Sequence, residues 1–124
     1  MTLNQKTRGE SEDEFTKAVI QFEMEHLGRG PKDARTYFID DMILIRMGGL
    51  MTSAESMLAR DQKGQEIIKS TRRQLMEVSR PLITQIVRDI LSLEMISMHT
   101  DMSTKTGERV IVLVVDRNLD ELFD

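Results

Sequence analysis

Absences are the first guide to this chain. Among its 124 residues there is no cysteine and no tryptophan, and only one tyrosine, two histidines and two prolines. Without cysteine there is no disulfide framework, no thiolate nucleophile and no cysteine-ligated zinc, which points to a reducing, cytoplasmic address. His26 and His99 do not stand one helical turn apart, so the zinc-binding pair of a metal helix is missing and no metal site is expected. No run approaches the roughly 20 apolar residues that span a bilayer, and MTLNQKTRGESEDEF lacks the apolar core of a secretory leader. Neither GxxxxGK[ST] nor GxGxxG occurs, so nucleotide binding lacks its usual phosphate cradle and no cofactor is implied. The formal net charge of −4 argues against a nucleic-acid partner, whose affinity rests on an excess of basic side chains. Lys69, Arg72, Arg73 and Arg80 form the densest basic group, and at helical spacing they read as a solvated flank.

What is present is the composition of a folded domain, 40% hydrophobic and 31% charged. The pattern predicts a mobile polar tail over residues 1–10 and a single domain over 11–124. Ser11 followed by three acidic residues marks a helix start. Phe15, Ala18, Val19, Phe22 and His26 then give one apolar stripe. Gly28 stops it, and Pro31 forbids its continuation. The run ARTYFIDDMILIRM reads as two strands joined at Asp40-Asp41. Thr52 and Glu55 match a capping box. Gly64 is expected to divide that helix from a long amphipathic one running from Ile67 to Leu91, kinked at Pro81. EMISMHTDM and RVIVLVVD form a second hairpin, with Ile96, Met98, Thr100 and Met102 on one side and Met95, Ser97, His99 and Asp101 on the other. The predicted class is α+β, in the order α-β-β-α-α-β-β, with a mostly antiparallel four-stranded sheet and the helices on one face. Because RVIVLVV is apolar on both sides, its strand should be central or covered by a partner, which suggests a homodimer. Ten methionines suit a pliable core or a partner-facing surface.

Catalytic chemistry is scarce. Ser97, His99 and Asp101 supply the residue types of a hydrolase triad, but alternate residues of one strand lie side by side and do not relay a proton. They read as a polar strip near the sheet's end. The loop Ser103-Thr104-Lys105-Thr106-Gly107-Glu108-Arg109 is a polar hairpin tip with the side chains to receive a small anion. Arg29, His99, Asp101, Lys105 and Arg109 are therefore the candidate ligand-binding residues. Gly28, Gly30, Pro31, Pro81 and Gly107 are structural markers. GRGPK follows a helix instead of leading into one, so Arg29 and Lys32 complement the negative helix end and the stretch is a corner, not a phosphate loop.

FEMEHLGRGPKDARTYFIDDMILIRM, the SRPLI segment and HTDMSTKTGERVIVLVV together resemble the MpsC-like family, over residues 11–116. The family takes its name from a component of a sodium-translocating, membrane-potential-generating system. The resemblance implies a non-enzymatic accessory or regulatory protein that contacts, from the cytoplasmic side, a membrane protein of ion or inorganic-carbon transport. It brings a signature, with no catalytic residues to carry over.

Overall fold

The structure, a computed structural model, describes residues 6–49 and 51–123. Its elements in chain order are α1 (Arg8–His26), β1 (Asp33–Ile39), β2 (Met42–Gly48), α2 (Ser53–Leu58), α3 (Gln62–Val78), α4 (Arg80–Leu91), β3 (Met95–Met102) and β4 (Arg109–Val115), closed by a 3-10 turn at Leu119–Leu122. All strand pairs are antiparallel and the sheet order is β1-β2-β4-β3, so the doubly apolar β4 is central, the first of the two placements its sequence allows. The helices cover one face. Phe15, Val19, Ile45, Val87, Ile111 and Leu113 are at the centre of the core they close.

Helix α1 begins three residues before the expected Ser11. Thr7 caps it, with a reciprocal capping box between Thr7 and Glu10, and Ser11 is buried inside the helix. The earlier start adds a turn that Arg8 anchors, donating to the Phe38 carbonyl at 2.7 Å and pairing with Asp120. Of the stretch expected to be a tail, residues 1–5 lie outside the described residues, and Arg8–Glu10 are helical. At the other end Gly28 adopts φ +81° just after the cap residue Leu27, the left-handed stop expected there. The chain then enters β1, where the Lys32 amide donates to the Gly48 carbonyl at 2.9 Å. Asp40 takes φ 55° in the two-residue turn to β2.

Thr52 and Glu55 form the expected box at α2. Gly64, however, is no separator. It lies within the first turn of α3, where its amide donates to the capping carboxylate of Asp61 at 2.7 Å. A Cβ there would stand 1.7 Å from the Leu58 carbonyl oxygen, so glycine is what lets the end of α2 rest on α3. The long apolar stripe is divided at Ser79 into α3 and α4, with Pro81 in the first turn of α4, where its missing amide costs nothing.

The face assignment of β3 needs one correction. Met95 pairs with Val115 and Ser97 with Val114, leaving Ile96 as a bulged extra residue, 59% exposed. The bulge restores Met95 to the core side, where Met98 and Met102 are buried. Leu119 and Leu122 of the final turn are buried, and Phe123 stacks on Phe38 with ring centroids 5.8 Å apart.

Candidate functional site

Two regions gather the side chains that the sequence singles out: a polar concavity between α3 and the β3/β4 edge, and the sheet face that no helix covers. The concavity is lined by Lys69, Arg72, Arg73, Thr100, Asp101, Met102 and Arg109 and encloses about 10 Å³, the room of a single water. Asp101 and Arg109 thus meet here, beside most of the basic group of α3. Arg29 is exposed beyond the end of α1 and Lys105 is exposed on the hairpin tip, and neither lines it.

Arg109 opens β4 on the inward register shared by Ile111, Leu113 and Val115. Its guanidinium is therefore driven into the core. There it donates from Nη1 to Glu23 Oε1 at 3.1 Å and from Nη2 to the Arg72 carbonyl at 3.3 Å. Glu23 arrives from α1 one helical turn after Val19, again in an apolar phase. Both side chains are almost wholly buried. Burial pushes the Glu23 carboxyl up, opposed by Arg109 and Arg72, and pushes Arg109 down, opposed chiefly by Glu23. Glu23 Oε2 and Thr100 Oγ1 are buried without a hydrogen-bond partner.

Around this pair the charges are already matched. Arg72 bonds Glu55 through Nη2 at 2.6 Å and Nε at 3.0 Å. Burial raises Glu55, but the bonds from Arg72 and Thr52 outweigh it and hold the carboxyl below its ordinary range. Lys69 pairs with Asp101 at 3.2 Å and lowers its carboxyl, aided by the Met102 amide. The basic flank is thus partly turned toward its own acids. Among the described residues, no group of three or more histidine, aspartate and glutamate side chains is placed to hold a metal ion.

The hairpin tip also closes on itself. Ser103 N donates to the Glu108 carbonyl at 2.8 Å, Gly107 N to the Ser103 carbonyl at 2.7 Å and Thr106 N to Ser103 Oγ at 3.1 Å, with Gly107 at φ +76°. The amides of Ser103, Thr106, Gly107 and Glu108 are engaged within the tip, while Lys105 is exposed.

The uncovered face consists of three cross-strand rows. The strand registers place Arg35, Arg46, Val110 and Asp101 in one, Tyr37, Leu44, Val112 and His99 in the next, and Ile39, Met42, Val114 and Ser97 in the third. Six apolar side chains make its middle. His99 lies on this exposed face, with its Nε2 3.2 Å from Ser97 Oγ, and is separated from the buried chemistry by the thickness of the sheet. Arg46 is paired with Glu108 at 2.7 Å.

Sequence motifs do not mark Glu23, and they mark Glu55 and Arg72 only as a cap residue and part of a solvated flank, whereas all three belong to one polar network. The signal for Glu23 is its phase: it falls on the same helical face as Phe15 and Val19.

Comparison with known proteins agrees with the sequence signature. The model of the family described as "Na+-translocating membrane potential-generating system (MpsC)" matches residues 7–117. Uncharacterized protein YbcI of Bacillus subtilis (strain 168) is 34% identical over 116 residues, 94% of each chain. Uncharacterized protein YrhF of the same organism is 23% identical over 109 residues, 87% of this chain and 89% of its own. No solved structure matches.

Proposed function

Because the chain belongs to the MpsC family, we propose that it is a non-enzymatic accessory or regulatory protein of a membrane ion or inorganic-carbon transport system, working as a homodimer on the cytoplasmic side. The observation that carries this reading is the family match across nearly the whole chain, whose description names a sodium-translocating, potential-generating system. No helix among the described residues is long and apolar enough to cross a membrane, so contact with such a system would pass through a protein partner. The arrangement of charge supports a binding role over a catalytic one. Arg109, Glu23, Arg72 and Glu55 are bonded to one another, and His99 and Asp101 occupy a strand face without the convergence that proton relay needs.

The test is functional. Inverted membrane vesicles from the native host, with this gene deleted, are energised in sodium and followed with a voltage-sensitive dye. A lower sodium-dependent potential in the deletion, restored by purified protein, is the expected result. Equal potentials in wild-type, deleted and replenished vesicles would overturn the reading.

A further inference from the structure

The geometry points to the uncovered sheet face as the surface on which two copies of this chain pack, in a defined register. This deepens the homodimer element of the proposed function and is independent of the membrane partner. Tyr37, Ile39, Met42, Leu44, Val112 and Val114 lie in the second and third rows of the face, and Tyr37 and Ile39 are among the most exposed large apolar residues of the sheet. A sheet face of this composition is the inner layer of a sandwich lacking its second sheet.

Charge selects the second sheet. The first row runs Arg35, Arg46, Val110, Asp101 across the strands, basic at the β1 end and acidic at the β3 end. A two-fold axis lying in the interface and parallel to the strands sets β1 of one copy over β3 of the other. It brings Arg35 over Asp101 of the second copy twice, and stacks Leu44 on Val112 and Met42 on Val114. An axis across the strands would instead pair each strand with itself and lay Arg35 over Ile39 and Arg46 over Met42, setting both arginines against apolar surface where the first axis sets only Arg46, over Val110. Complementarity therefore favours the first axis, with the two sheets inclined at about −30° by their twist. Lys69 and the Met102 amide both engage Oδ1 of Asp101, and the side chain is still 72% exposed, so its carboxylate has room for a second cation. Ile67, Leu75, Val78 and Leu82 form another exposed apolar stripe, on α3 and α4.

The native chain has no cysteine, so introduced thiols report cleanly. Tyr37 and His99 lie at opposite ends of one row, about 14 Å apart across three strand spacings, too far for a disulfide within one copy. The full-length Tyr37→Cys/His99→Cys variant should therefore oxidise to a covalent dimer, and neither single variant should. Cross-linking by Tyr37→Cys alone would mean the other axis and would overturn the register. In sedimentation of the cysteine-free protein, Arg35→Asp and Asp101→Arg should each weaken the dimer by roughly tenfold or more, and the double exchange should recover it. Leu44→Lys should give a folded monomer by circular dichroism. A dimer that survives Leu44→Lys and dissociates with Val78→Lys would place the interface on the helices, refuting this surface while leaving the homodimer intact. A native chain that remains monomeric at high concentration would refute both.

Discussion

The same four strands present two faces that handle charge in opposite ways. Toward the helices, Arg109 and Glu23 are stripped of water and depend on each other. Toward solvent, Asp101 with Lys69 and Arg46 with Glu108 keep much of their hydration. A buried pair gains little net stability over an apolar pair of the same shape, yet losing one member strands the other. An exposed pair is worth little, and its loss is tolerated. The contrast extends to protonation. Burial raises the Glu23 carboxyl, whereas the Lys69 hydrogen bond lowers Asp101.

The strongest way to break the contrast is Arg109→Leu, which leaves Glu23 buried without its cation. Urea unfolding of the dilute protein should show a loss of about 3–5 kcal/mol. Adding Glu23→Leu should recover much of that loss, because the apolar pair leaves no charge behind. Next in size is Leu113→Ala on the inner face of β4, expected to cost about 2–5 kcal/mol through lost burial and a cavity. Its outward neighbour, Val112→Ala, should cost about 1 kcal/mol or less under the same conditions.

A pH series sharpens the comparison further. Since the folded Glu23 carboxyl lies above its unfolded value, the folded chain holds the proton longer. That contribution to stability is complete below the ordinary glutamate value and is lost as pH rises through the raised folded value. Glu23→Gln should flatten this slope in unfolding measurements across the acid range. Asp101 works in the other direction: its contribution is present above the ordinary aspartate value and lost as pH falls through the lowered one. Asp101→Asn should give the smallest effect, within about 1 kcal/mol at neutral pH and less in high salt.

Most of the architecture is legible because periodicity and turn chemistry agree. Gly28, Asp40-Asp41 and the Thr52–Glu55 box mark boundaries where local preference and tertiary need coincide. The reading fails where a contact distant in sequence decides. Arg8 gains Phe38 and Asp120 by extending α1, which no local signal near Ser11 announces. Gly64 looks like a break until the Leu58 carbonyl is seen against it. Ile96 follows strand alternation on paper, and only the pairing with β4 shows the bulge. In the polar site the clue was present in the wrong category. Glu23 and Arg109 are charged residues at apolar phases of a helix and a strand, a pattern that predicts a buried pair more directly than any catalytic motif. The pairing itself joins positions 86 residues apart, beyond the reach of local pattern.

The helix start at Thr7 also has a bearing on how large an assembly can become. Phe38, on the edge strand β1, donates its amide to Glu12 at 2.7 Å and gives its carbonyl to Arg8 at 2.7 Å. The α1 side chains thus occupy backbone groups that another strand would seek, while the Ile96 bulge interrupts the opposite edge. Strand-by-strand growth has no natural end, since every added copy exposes a fresh edge. Packing of faces about a two-fold axis would be closed by symmetry, because each copy has a single such face to offer. With its rims plugged in this way, the sheet is closed to the strand-by-strand addition that builds fibres.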